Sequence, residues 1–146
     1  MRTLSLFLFS LVLLASPLRL RLHDQLVLDD ELDLLWDRCA IGQTFNGITC
    51  TGQASKLTIL EAGRSCSRAR ARLPALEELQ ALLTQEAQSN YWDPHFFPGS
   101  PADKFWTSSR FLSNPGIQYR LVDFYSGQIT AAKTGAYYVR CVRALS

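Results

Sequence analysis

Residues 39–50 read CAIGQTFNGITC, a stretch that begins and ends with cysteine and carries Asn46-Gly47 at its centre. An Asn-Gly dipeptide readily adopts the positive φ angles that a tight turn requires. The stretch therefore predicts a hairpin whose two ends are joined by a disulfide between Cys39 and Cys50.

The chain contains four cysteines, at positions 39, 50, 66 and 141. An even number of cysteines in an exported protein is typical of a disulfide framework, here two bridges with three possible pairings. A zinc site is not expected, because C-x-x-C pairs are absent and the chain has only two histidines.

The directions in which a predicted helix and a predicted strand point their cysteines favour one of these pairings. Thr58 and Glu61 form a capping-box pattern, which predicts a helix from there to about Ala71 with Cys66 on its apolar face. A strand is predicted over residues 136–142, where the two-residue period turns Cys141 inward. We therefore expect disulfides between Cys66 and Cys141 and between Cys39 and Cys50.

The remaining segments predict short elements around an irregular centre. Two strands are expected at residues 26–28 and 34–36, and a second helix after Pro74 that ends before Asn90. Residues 91–111 mix aromatic side chains with prolines, which is typical of an irregular stretch held by buried rings. A strand at residues 119–125 is expected to join that at 136–142 across Ser126-Gly127.

The composition limits the classes of protein to which the chain could belong. The 146 residues leave room for one domain; 47% are hydrophobic, 19% are charged and the net charge is +2. So small a net charge does not favour nucleic acid as a partner. Residues 1–16 combine Arg2 with an apolar run too short to span a membrane, so a signal peptide and no stable membrane anchor are expected.

Six segments in series resemble the Lcl C-terminal family, a domain of unknown function, over residues 26–143. The matching segments are LLWDRCAIGQTFNGITCTG at 34–52, the helix after it, RLPALEEL at 72–79, DPHFFPGSPADKFWTSS at 93–109, LVDFYSGQ at 121–128 and YYVRCVR at 137–143. The resemblance implies an α+β fold of the C-type-lectin-like kind, also found in the formylglycine-generating-enzyme group, with two helices flanking a small twisted antiparallel sheet. In lectin-like domains a disulfide joins the first helix to the last strand, where Cys66 and Cys141 lie. One departure from the family pattern is Ala75, which stands where a threonine usually caps the second helix and leaves only Glu78 of that capping box.

Catalytic, metal and cofactor sites are not expected. A catalytic thiol must be unpaired and activated, whereas all four cysteines have a structural partner. The calcium loops of sugar-binding lectins are not matched: Asn114-Pro115-Gly116 is typical of a turn, and Asp123 of a solvated or turn-stabilising acceptor. We expect His95 to be packed and the arginines of the first helix, Arg64, Arg68, Arg70 and Arg72, to be a solvated face.

The sequence thus predicts an exported, non-catalytic binding or adhesion module for a carbohydrate or protein, in the periplasm or secreted. Its recognition surface is expected on the loops at residues 90–118 and 126–135. Two alternatives stay open: a structural or accessory envelope protein without a small ligand, and an enzyme related to the formylglycine-generating group. Ligand identity and oligomeric state are not set by the sequence.

Overall fold

The computed structural model describes residues 19–85 and 89–145, so the expected signal peptide at residues 1–16 lies outside the described part of the chain. The described residues form short strands and two helices. In chain order these are β1 Leu20–His23, β2 Leu26–Asp29, β3 Leu34–Asp37, β4 Thr44–Phe45, β5 Cys50–Thr51, α1 Ile59–Arg68, α2 Leu76–Gln80, β6 Lys104–Ser113, β7 Gly116–Asp123, β8 Ile129–Ala132 and β9 Val142–Ala144.

The strands form three antiparallel sheets, in the orders β1-β2-β3-β9, β4-β5 and β6-β7-β8. The predicted α+β class is confirmed. The strands expected at residues 26–28 and 34–36 are β2 and β3, paired from Leu26↔Asp37 to Asp29↔Leu34. Strand β1, which the sequence analysis did not predict, adds to the outer side of β2.

The hairpin between Cys39 and Cys50 is also confirmed. Strands β4 and β5 pair, and Gly47 between them has a φ of 97°. The side-chain Oδ1 of Asn46 accepts hydrogen bonds from the backbone N–H groups of Ile48 and Thr49, both at 2.8 Å. The Asn-Gly dipeptide therefore closes the turn as its chemistry predicts.

Helix α1 begins and ends close to its predicted bounds. The Thr58 hydroxyl accepts the Glu61 backbone N–H at 3.3 Å, which caps the first turn. At the other end, Arg70 has a φ of 55°, and the N–H groups of Arg70 and Ala71 donate to the carbonyls of Ser67 and Cys66. This pair of bonds is a Schellman motif, which stops the helix at Arg68.

Helix α2 ends before Asn90, as expected, but it stops at Gln80 and so covers only the first part of the helical pattern at residues 75–87. After Gln80 the backbone tightens: the N–H groups of Leu82 and Leu83 donate to carbonyls three residues back, and that of Thr84 donates to Tyr91. Leu82 is buried in the aromatic core, so packing overrides the helical pattern of the sequence. Residues 86–88 lie outside the description.

Strand β6 was not predicted, because residues 91–111 were expected to be irregular throughout. Its first residues alternate between two covered faces: Phe105 belongs to one buried cluster and Trp106 to another. A strand buried on both faces shows no apolar–polar alternation, which explains why the pattern was missed.

The end of the chain differs from the prediction as well. The partner of β7 across Ser126-Gly127 is β8, not residues 136–142. Residues 137–142 instead form isolated bridges, Leu57↔Tyr137, Phe105↔Tyr138 and Arg72↔Val142, before β9 pairs with β3. The predicted inward face holds in part, because Val139 and Cys141 are buried while Tyr137 is half-buried.

The sheet β6-β7-β8 separates two buried clusters. The aromatic cluster includes Trp92, Phe97, Phe105 and Phe124 and receives Leu79 of α2. The second cluster contains Trp106 and Leu121 and receives Ala62 and Cys66 of α1. The two helices therefore contribute to clusters on opposite faces of this sheet.

Both predicted disulfides are present, Cys39–Cys50 and Cys66–Cys141. Two disulfides indicate an oxidising, extracytoplasmic compartment. Among residues 19–85 and 89–145 there is no helix with the length and apolar character needed to cross a bilayer.

Candidate binding groove

A groove of about 970 Å³ lies where the disulfide hairpin meets the sheet β1-β2-β3-β9, and it exceeds two other concavities of about 600 and 400 Å³. We call it the groove. It is lined by the turn after β1 (His23, Asp24, Gln25, Leu26), the end of β3 and the hairpin (Asp37, Arg38, Cys39, Ala40, Ile41, Gly42, Gln43, Thr44, Phe45, Gly47), and Arg143 of β9.

An ion pair joins two of the strands that line the groove. Arg143 Nη1 donates to Asp37 Oδ1 at 2.7 Å, and each side chain is about a quarter exposed. The two residues come from β3 and β9, neighbouring strands of one sheet. The pair therefore sets a fixed donor and acceptor at the wall of the groove.

Arg38 is held against an aromatic ring by its own hydrogen bonds. Its Nε donates to the Phe96 carbonyl at 3.1 Å and its Nη2 to the His95 carbonyl at 2.9 Å. The guanidinium carbon lies 4.4 Å from the centre of the Phe45 ring, a cation–π contact. These contacts fix both the charge and the ring at the groove.

The hairpin that forms one side of the groove is tied down by Gln43 and Gly42. Gln43 Nε2 donates to the Gly99 carbonyl at 2.9 Å, and Gln43 Oε1 accepts the Ala40 N–H at 3.3 Å. Gly42 has a φ of 96°, and a Cβ there would lie 2.8 Å from the Gln53 carbonyl oxygen. A larger residue does not fit at this position without displacing the backbone.

Arg140 lies beneath the groove and is wholly buried. Its Nη1 donates to the carbonyls of Asp37 at 2.9 Å and Arg38 at 2.6 Å, while its Nη2 donates to Ser100 Oγ. Its guanidinium carbon lies 4.4 Å from the Trp92 ring centre. Burial lowers the pKa of Arg140 to about 9, a shift that Asp37 opposes, so the group stays charged at neutral pH.

Sequence reasoning missed Arg140. The two-residue period places it opposite Val139 and Cys141, on the side expected to face solvent. In the fold both sides of this segment are covered, one by α1 and the other by the aromatic cluster. No signal in the sequence distinguishes this arginine from a solvated one.

The segments expected to carry recognition lie elsewhere. None of the residues at 90–118 or 126–135 lines the groove. Much of the first segment is core, with Trp92, Phe97 and Phe105 buried. Its exposed residues include His95 and those of the turn between β6 and β7, where Asn114-Pro115-Gly116 forms the predicted turn.

The other predicted residues have mixed outcomes. His95 is exposed rather than packed, with its ring centre 4.8 Å from that of Phe96, because the side chains buried at this point of the chain are those of Phe96 and Phe97. Asp123 Oδ1 accepts the Tyr125 N–H at 2.9 Å, which confirms its turn-stabilising role. The four arginines on and after α1 are exposed, as predicted, and Arg72 pairs with Glu78 at 2.7 Å.

The groove offers fixed hydrogen-bonding groups and one aromatic ring. All four cysteines are in disulfides, so none supplies a thiolate. Within the described residues, no three His, Cys, Asp or Glu side chains are grouped to hold a metal ion.

A sequence profile described as the Lcl C-terminal domain matches residues 25–143. No curated protein matches the chain.

Proposed function

Because the chain belongs to the Lcl C-terminal domain family, a domain of unknown function, we propose a function for it from its own surface. The proposal is that this is a non-catalytic extracytoplasmic binding module, and that the groove is its ligand site. The periplasm and the secreted state are both compatible with two disulfides.

The observation that carries the proposal is that the polar groups of the groove are already held in place. Asp37, Arg38 and Gln43 each make hydrogen bonds that do not depend on a ligand. The disulfide and Arg140 hold the backbone between them. A site that is ordered before binding loses less entropy when a ligand arrives.

The composition of the groove favours a carbohydrate over a protein as ligand. Planar polar side chains such as Asp24 and Gln43 hydrogen-bond hydroxyl groups, and the Phe45 ring presents a flat apolar surface of the kind that packs against a sugar ring. A volume of about 970 Å³ is at the upper end of the range for small-molecule sites. We therefore propose a short segment of a neutral or weakly charged glycan as the ligand class.

Glycan-array binding of the oxidised protein tests the proposal, with Asp24→Asn as the central variant. Asp24 lies at the groove with a φ of 55°, a conformation that asparagine tolerates, so the substitution removes charge without straining the turn. Asp33→Asn is the matched control: Asp33 is also exposed, has a φ of 53° and lies at the other end of the β2–β3 pair.

We expect Asp24→Asn and Phe45→Leu each to weaken glycan binding about tenfold, the effect of losing one good contact. The Asp33→Asn protein should bind like the wild type. Equal losses in Asp24→Asn and Asp33→Asn would place the ligand outside the groove. Absence of any glycan or protein ligand would instead favour an accessory envelope protein.

A further inference from the structure

The turn between β6 and β7 carries the second feature that points to a ligand, and it is distinct from the groove. We call residues 110–120 the hairpin tip. Leu112 is 84% exposed and Ile117 is 44% exposed. The two residues are direct partners in the β6–β7 register, so their side chains lie side by side on one face of the hairpin.

The hairpin tip is held in one shape by its own polar contacts. Ser113 Oγ donates to the Gly116 carbonyl and accepts from Gln118 Nε2, both at 2.9 Å. Lys133 directly follows β8, and its Nζ donates to the Pro115 carbonyl at 2.7 Å. The apolar pair is therefore presented on a preformed support rather than on a loop that must first be ordered.

Positive charge lies close to this apolar pair. Arg110 is two residues before Leu112 on the same face of β6, and Lys133 contacts the turn. Arg120 lies on the opposite face of the hairpin, where its guanidinium carbon is 4.0 Å from the centre of the Phe111 ring. None of the three forms a salt bridge within the described residues. Asp123 is the single acidic residue from Lys104 to the end of the sequence, and it lies at the opposite end of β7.

We propose that the hairpin tip docks reversibly on an anionic lipid bilayer, with Leu112 and Ile117 entering the headgroup boundary. Apolar side chains gain free energy when they leave water for this boundary, and flanking lysine and arginine residues are attracted to anionic headgroups. A projecting turn with two adjacent apolar side chains fits a deformable surface better than it fits a protein pocket. This role is independent of the groove and of its ligand.

Vesicle co-sedimentation of the oxidised full-length domain tests the proposal. The vesicles contain phosphatidylglycerol and phosphatidylethanolamine, and phosphatidylcholine vesicles serve as the neutral comparison. Leu112→Ser is the central variant and Ile48→Ser its matched control, because Ile48 is 83% exposed at the tip of the disulfide hairpin. Arg110→Gln tests the charge, with Arg68→Gln on the exposed face of α1 as its control.

We expect the wild type to bind anionic vesicles, to release at high salt and to leave neutral vesicles unbound. Leu112→Ser should weaken binding about tenfold and Arg110→Gln severalfold, while both controls stay within about twofold of the wild type. Three results would each overturn the proposal: no binding by the wild type, equal binding by Leu112→Ser, or equal loss in Ile48→Ser. Binding to soluble dextran sulfate with the same affinity as to vesicles, insensitive to Leu112→Ser, would likewise show an anion site and not a bilayer contact.

Discussion

At the scale of single residues, Arg140 is the side chain on which the interior depends most. Burial lowers its pKa to about 9, well below the ordinary value of an arginine, so at neutral pH the buried charge itself opposes folding. The contacts that offset this cost are two backbone carbonyls, Ser100 Oγ and the faces of Trp92 and Phe97. Arg140 thereby links the end of β3 to the aromatic cluster.

Arg140→Met should lower the free energy of unfolding by about 2 to 4 kcal/mol, because the acceptors of Asp37, Arg38 and Ser100 then stay buried without a donor. Denaturant unfolding of the oxidised protein, followed by tryptophan fluorescence, measures the change. Arg68→Met on the exposed face of α1 is the control and should change stability by less than about 0.5 kcal/mol. A methionine variant as stable as the wild type would mean that desolvation of the charge outweighs its contacts.

At the scale of elements, helix α2 depends on Glu78 because Ala75 has no capping side chain. The Glu78 carboxylate accepts the Ala75 N–H at 2.7 Å and two N–H groups of Arg72 at 2.7 and 2.9 Å. The hydrogen bond from Arg72 is the main reason that the pKa of Glu78 lies below its usual value. The half capping box expected from the sequence is what the structure shows.

Glu78→Gln should destabilise the protein by about 1 kcal/mol at pH 7, a modest value because solvent screens the Arg72 pair. A carboxylate whose pKa is lower in the folded state stabilises above its unfolded pKa and loses this effect as pH falls through the folded pKa. The difference from the wild type should therefore hold at neutral pH and shrink below about pH 4.5.

Thermal unfolding from pH 3 to pH 7 measures this dependence, and Glu77→Gln provides the control in the same helical turn. Glu77 is exposed and, among the described residues, its carboxylate forms no salt bridge. A Glu78→Gln penalty that is constant across the pH range would show that shape, and not charge, accounts for the role of Glu78.

At the scale of the whole molecule, the two disulfides close chain loops of very different size. Cys39 and Cys50 are 11 residues apart and join two ends of one hairpin. Cys66 and Cys141 are 75 residues apart and join α1 to the segment that precedes β9. In the chain-entropy model, the stabilisation that a disulfide contributes increases with loop length.

Replacing both cysteines of one bridge by serine should cost about 3 kcal/mol for the pair Cys39 and Cys50, and about 4 to 5 kcal/mol for Cys66 and Cys141. The second loss approaches the total stability of many domains, so that variant should be partly unfolded at 37 °C. Denaturant midpoints of the two double variants check the order. A larger loss from the short loop would mean that the contacts around the groove, and not chain entropy, dominate.

The sequence by itself determined the parts of this protein that depend on local chemistry. Asn46-Gly47 set the disulfide hairpin, Thr58 set the start of α1, and the facing of Cys66 and Cys141 set their pairing. Each of these depends on residues within a turn or on the period of one element, which a linear pattern records.

Tertiary structure alone decided the rest. The first residues of strand β6 and buried Arg140 carry no local signal, because both are covered on two faces by segments far away in the chain. The length of α2 was set by the burial of Leu82, and the groove by residues from β1 to β9 that meet only after folding. Burial on both faces removes the apolar–polar alternation from which a strand is predicted. A site formed by residues far apart in the chain leaves no periodic pattern in the sequence.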